Sequence, residues 1–132
     1  GLHVCYGDYS RIYPEILDYP VDEFDIELCN GGYEQLDVFK EPAFTKDLAM
    51  GVVDIHAREI EPVAEIKENI KKALEIVPPE QLTVSPDCGL KLLPREVAYQ
   101  KMENMVTAAR EVEAELDAGE IEVESPAPSA DD

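Results

Sequence analysis

Residues 49–79, AMGVVDIHAREIEPVAEIKENIKKALEIVPP, decide the fold. The segment opens on a short apolar run, residues 49–55, of the length and composition of a buried strand. A polar stretch follows, and then Val63, Ile66, Ile70, Ala73, Leu74 and Val77 recur on one face at helical spacing. Pro62 fits the first turn of that helix, and Pro78-Pro79 stop it. The segment is one strand–helix unit.

The same unit recurs on both sides. Apolar runs at residues 2–6, 24–29 and 82–85 read as three more strands, with polar residues gathered at their C-terminal ends. The first is followed by a helix-compatible stretch at 11–19 and the second by one at 33–40. The fourth leads into a long helix, residues 94–116, whose apolar stripe is Ala98, Met102, Met105, Val106, Ala109, Val112 and Leu116. Both methionines of that stripe read as core filler. Four alternations of strand and helix predict a parallel sheet with helical crossovers. A barrel of this kind takes eight units in roughly 250 residues. The fold expected is therefore the last four units of a (β/α)8 TIM barrel in residues 1–117, the upstream half lying outside this sequence. Residues 118–132, rich in Pro, Ser, Ala and acids, are expected to be a disordered acidic tail.

Composition narrows the function. The 30 acidic residues outnumber 11 basic ones, for a formal net charge of −19. Such a surface repels nucleic-acid phosphates and anionic membranes, and no apolar run is long enough to span a bilayer. The acidity reads either as an ordinary solvated surface or as adaptation to high internal salt, where screening makes dense like charge tolerable. Three cysteines, Cys5, Cys29 and Cys88, do not form a disulfide framework and fit a reducing, cytoplasmic setting. Lys67, Lys71 and Lys72 read as a solvated helix face.

In a reducing setting, scattered Cys and His point to metal or catalysis. His3 and Cys5 are two apart in a strand, so they leave the same face, near the end where barrels place their chemistry. In FDIELCN, Glu27 alternates with Ile26 and Leu28 and so faces away from them. Cys88 follows the fourth strand in SPDCGLK. One imidazole, two thiolates and one carboxylate make a four-ligand zinc set, although an acidic chain offers many glutamates and His-x-Cys is a short pattern. His56 closes the third strand at the same rim, with Asp54 two residues earlier to orient its ring and favour its charged form. Cys29 reads as a small buried residue beside the site. Asn30, Gly31 and Gly32 form a turn within reach of substrate. Asp87 either orients a ligand or caps its turn, and Asp8 is either a turn residue or a substrate contact.

The segments HVCYGDY, DIELCN, GVVDIHA and SPDCGLK occur in that order, and residues 2–115 resemble the C-terminal catalytic barrel of cobalamin-independent methionine synthases, including their short archaeal relatives. The resemblance implies a zinc-dependent methyltransferase that alkylates the thiol of homocysteine to form methionine. It implies His3, Cys5, Glu27 and Cys88 as the zinc ligands, Glu27 also touching substrate. His56, with Asp54 as its partner, would be the acid assisting departure of the leaving nitrogen of a methyl-tetrahydrofolate or methyl-pterin donor. A methylcorrinoid donor, free or carried by a corrinoid protein, would leave His56 without an amine to protonate. Two alternatives stand beside this reading: a relative that methylates another thiol such as coenzyme M, and a non-catalytic fragment that retains zinc ligands.

Overall fold

The computed structural model describes residues 1–5 and 7–122. Four strands, β1 (Leu2–Val4), β2 (Glu23–Ile26), β3 (Asp47–Val53) and β4 (Leu82–Pro86), form one parallel sheet in the order β1-β2-β3-β4. Two α-helices, α1 (Val63–Ala73) and α2 (Arg95–Asp117), and short 3-10 segments make the connections. Parallel neighbours in sequence order joined by crossovers constitute part of an α/β barrel.

The register separates the two faces of the sheet. Leu2, Phe24 and Leu48 align in one row, and Val4, Ile26 and Met50 in the next. These side chains pack into the core that the connecting segments cover. On the other face His3 pairs with Asp25, Asp25 with Ala49, and Gly51 with Ser85. The concave side of the sheet is therefore lined by polar and small residues. Tyr9, Tyr13, Phe24, Phe39 and Phe44 form an aromatic cluster under β1 and β2, with the Tyr13 ring edge-on to Phe39 at 5.1 Å.

The first two connections are not α-helical. Residues 11–19, expected to be helix-compatible, form two 3-10 turns, Tyr9–Arg11 and Glu15–Asp18, and Pro14 separates them by lacking the N–H a continuous helix needs. The second connection, Tyr33–Lys40, is 3-10 helical throughout, entered through Gly32 at φ +98°. Pro62 and Pro94 sit one residue earlier than the first helical turn, as extended N-cap residues of α1 and α2. β3 ends at Val53, so His56 lies in the loop beyond it rather than on the strand.

The buried face of α2 is rotated from the expected stripe. Lys101, Met105, Ala108 and Val112 point inward, whereas Met102 is 37% and Val106 39% exposed. Only Met105 of the two methionines fills the core. The cause is Lys101, a charged residue in a core position, which hydropathy assigns to the outside. The lysines of α1 also differ from the expected solvated face. Lys67 pairs with Glu111 and Glu115 of α2, Lys71 with Glu115, and Lys72 lies 5.6 Å over the Tyr33 ring. Lys67 and Lys71 tie the two helices together, each exposed pair contributing modestly.

α2 closes in a Schellman cap: Gly119, at φ +73°, donates to the Leu116 carbonyl and Glu120 to that of Glu115. The tail boundary expected at 118 thus falls inside this cap, and residues 123–132 of the expected tail lie outside the described residues. Among the described residues no helix is long and apolar enough to cross a membrane.

Candidate metal centre

The C-terminal ends of the strands gather the chemistry. His3 on β1 and Cys5 just beyond it leave one face, as period-2 geometry requires. Cys88 arrives from the turn after β4. His3 Nε2 lies 2.7 Å from Cys5 Sγ and 3.1 Å from Cys88 Sγ, and the two sulfurs are 2.6 Å apart. All three donor atoms converge on one point. This set fits zinc by the chemistry of its donors. Two thiols and an imidazole are the kinds of donor that zinc favours.

Proximity also sorts the thiols. Cys88 is held below the usual thiol range chiefly by its hydrogen bond with Cys5 and then by its contact with His3, while Cys5, bonded to that same sulfur, is pushed up to about 11. The hydrogen bond with Cys88, followed by that with Asp25, raises the imidazole of His3.

Glu27, the fourth expected ligand, is not brought into the three-atom group. It follows β2, is 2% exposed, and its electrostatic influence reaches both Cys5 and His3. Burial raises its carboxyl pKa, and a hydrogen bond from the Gly31 backbone opposes the rise. The Tyr9 hydroxyl donates to the Glu27 carbonyl at 2.9 Å and fixes the backbone there.

Asp87 joins the strand ends. Its carboxylate is 1% exposed and accepts backbone N–H bonds from Leu28 (3.1 Å), Cys29 (3.0 Å) and Asn30 (2.8 Å). The turn after Glu27 is thereby fastened to the residue preceding Cys88. Burial raises the Asp87 carboxyl pKa despite the three donors. Gly51 makes room for it, since a β-carbon there would overlap the Asp87 carboxylate. Asp87 thus caps the distant turn after β2 rather than its own. Asp8 is likewise a turn residue, its Oδ1 accepting from the Ser10 N–H at 3.1 Å.

His56 and Asp54 sit in the loop after β3. Asp54 Oδ1 accepts the His56 backbone N–H at 2.8 Å and lies 3.5 Å from ring Nδ1. The ring is half exposed. Cys29 is half-buried, and burial pushes its thiol up to about 12, which makes it inert at neutral pH.

Two residues that sequence reasoning did not single out carry much of this arrangement. Asp25 Oδ2 accepts from His3 Nδ1 at 2.9 Å, and its Oδ1 accepts from the Ser85 hydroxyl at 2.8 Å. The alternation in FDIELCN already placed Asp25 on the face of Glu27 and was the available signal. Lys101, fully buried, donates to the carbonyls of Asp54 (3.0 Å) and Glu59 (2.7 Å) and to Glu61 Oε1 (2.5 Å). Asn104, one turn further along α2, donates to the Glu61 carbonyl at 2.9 Å. No sequence signal marked Lys101.

Residues 1–111 match the family model described as "Cobalamin-independent synthase, Catalytic domain". The chain is 44% identical over 115 residues to a methionine synthase of Saccharolobus solfataricus, covering 87% of this chain and 35% of that protein. A methionine synthase of Sulfolobus acidocaldarius is also 44% identical over 115 residues, with 33% of its length covered. The chain thus spans about a third of the length of these curated relatives. Among solved structures, a B12-independent methionine synthase from Shewanella sp. W3-18-1, in complex with selenomethionine, superposes with a TM-score of 0.74 at 23% identity. That match covers 88% of this chain and 39% of the other, and it shows a shared fold.

Proposed function

The chain belongs to the cobalamin-independent synthase catalytic-domain family, and from that premise we propose that the protein it forms part of is a zinc-dependent methyltransferase making methionine from homocysteine. The observation that carries the reading is the convergence of His3 Nε2, Cys5 Sγ and Cys88 Sγ at the strand ends of a barrel. These three residues would hold zinc, and Glu27, buried beside them, would complete the set or contact the substrate. Zinc bound there supplies a Lewis acid that favours the thiolate of homocysteine, the nucleophilic form, at neutral pH.

The chain's own residues do the rest. Asp87 holds the turn behind Glu27 and the approach to Cys88 in one piece. Asp54 fixes the turn that presents His56, whose half-exposed ring would meet a second substrate. With a methyl-tetrahydrofolate or methyl-pterin donor, His56 delivers a proton to the nitrogen from which the methyl group departs. Changing His56 to Asn should therefore lower methyl transfer from such a donor about 10²–10⁴-fold, a typical share for a positioned acid, while zinc content stays at the wild-type level. Assay of the full-length protein with homocysteine and each donor class tests this. Wild-type turnover in His56→Asn would remove the acid role, and no methionine from any donor with zinc bound would overturn the function.

The acidic composition belongs to the same proposal as adaptation to a salty, reducing interior. At a net charge of −19 the folded surface repels itself. The screening length falls from about 30 Å at 0.01 M salt to about 3 Å at 1 M. The thermal midpoint should accordingly rise steadily from low salt to molar KCl. A midpoint indifferent to KCl would leave an ordinary acidic surface.

A further inference from the structure

The inward face of the sheet carries a relay that the metal ligands alone do not require. His3 stands directly opposite Asp25 in the β1–β2 register. Asp25 uses both carboxylate oxygens: Oδ2 takes the hydrogen of His3 Nδ1, and Oδ1 takes the hydroxyl hydrogen of Ser85 on β4. β2 and β4 are separated by β3, so two strand spacings of about 4.8 Å lie between them. A side chain as short as aspartate meets Ser85 over that gap only where β3 stays low. Its residues at the neighbouring register positions are Ala49, opposite Asp25, and Gly51, opposite Ser85. The carboxylate thus links β1, which carries His3, to β4, which runs on to Cys88.

We propose that Asp25, oriented by Ser85, is a positioning residue that locks His3 in the Nδ1–H tautomer and turns its Nε2 lone pair toward Cys5 and Cys88. This deepens the zinc-dependent reading given above and rests on it. The ring has two nitrogens and one hydrogen when neutral, and the carboxylate decides which nitrogen keeps it. With Nδ1–H committed to Asp25, Nε2 remains as the electron-pair donor, and Nε2 is the atom that sits 2.7 Å and 3.1 Å from the two sulfurs. A carboxylate behind a ligating imidazole also raises its basicity and restricts its rotation. His3 is otherwise loosely held, with 38% of its side chain exposed. Ser85 in turn keeps Asp25 from rotating out of the plane of the ring.

Full-length protein is compared as wild type, Asp25→Ala, Asp25→Asn and Ser85→Ala, with unfolding midpoints to confirm that each folds. Zinc affinity, measured by competition with a chromophoric chelator, should fall about 10–100-fold in Asp25→Ala, the usual consequence of losing such a partner. Asp25→Asn, whose carbonyl still accepts from Nδ1, should fall between wild type and Asp25→Ala, and Ser85→Ala should weaken binding by less than Asp25→Ala. In the metal-free protein, nitrogen chemical shifts of His3 should report the Nδ1–H tautomer in wild type and a mixture in Asp25→Ala, which a purely structural role would not produce. Tight zinc binding by wild type with an equal affinity and unchanged tautomer in folded Asp25→Ala overturns the role of Asp25 alone. A folded wild type that binds no zinc overturns the metal centre and this role together.

Discussion

Replacing Asp87 with Ala should cost about 3 kcal/mol of stability and abolish the zinc binding proposed for the protein. The carboxylate accepts three successive backbone N–H groups, from Leu28, Cys29 and Asn30. Hydrogen bonds to a charged group contribute about 1.5–3 kcal/mol each, and a buried donor left unmet costs about 1–3 kcal/mol. Leu28 is fully buried whereas Asn30 is exposed, so water relieves part of the loss and the total falls below the simple sum of three such bonds. The loss of zinc follows from connectivity. Asp87 immediately precedes Cys88, and the turn it grips immediately follows Glu27. Without that grip the two ligand-bearing segments move independently. Gly51→Ala should produce a weaker version of the same defect, because the added methyl displaces the Asp87 carboxylate. Denaturant unfolding together with metal analysis checks both, and an Asp87→Ala protein of wild-type stability and zinc content would show that the turn is held by other contacts.

The second large effect is expected at Lys101. Its ammonium is fully buried and meets two carbonyls and the Glu61 carboxylate, which is itself only 11% exposed. Changing Lys101 to Met keeps the length of the side chain and removes the charge, so Glu61 is left buried without its counter-ion. Breaking a buried pair from one side typically costs about 3–5 kcal/mol. Glu61→Gln added to Lys101→Met should recover part of that cost, because the stranded charge is gone. The loop from Asp54 to Glu61, which presents His56, should loosen, and its amides should exchange hydrogen faster. The proposed zinc ligands lie on other segments, so metal affinity should hold. Equal unfolding free energies for wild type and Lys101→Met would contradict the assigned role.

The strands were legible because each is a short apolar run closed by polar residues, and the concave face because Asp25, Glu27 and Cys29 alternate with Phe24, Ile26 and Leu28. His3, Cys5 and Cys88 were legible as chemistry, and the structure gathers those three at one point. The connections were harder to read. Residues 11–19 carry helix-compatible composition, yet Pro14 breaks them into 3-10 turns. The stripe of α2 kept Met105 and Val112 but took Met102 for Lys101, because hydropathy assigns lysine outward, while the acceptors that keep Lys101 inside come from residues 54–61, 40 or more positions away. Asp25 was passed over for a similar reason. Its partners, His3 and Ser85, become neighbours only when the strands pair, so the alternation that puts it on the face of Glu27 gives its direction but not its contacts.

Zinc stoichiometry of the full-length protein tests the account most directly, measured beside Cys88→Ser and Glu27→Gln. One tightly held zinc per chain is expected, with affinity lost in Cys88→Ser and weakened in Glu27→Gln, and with protons released when homocysteine is added to the wild type. A folded protein without zinc, or zinc retained undiminished after the loss of Cys88, would contradict it.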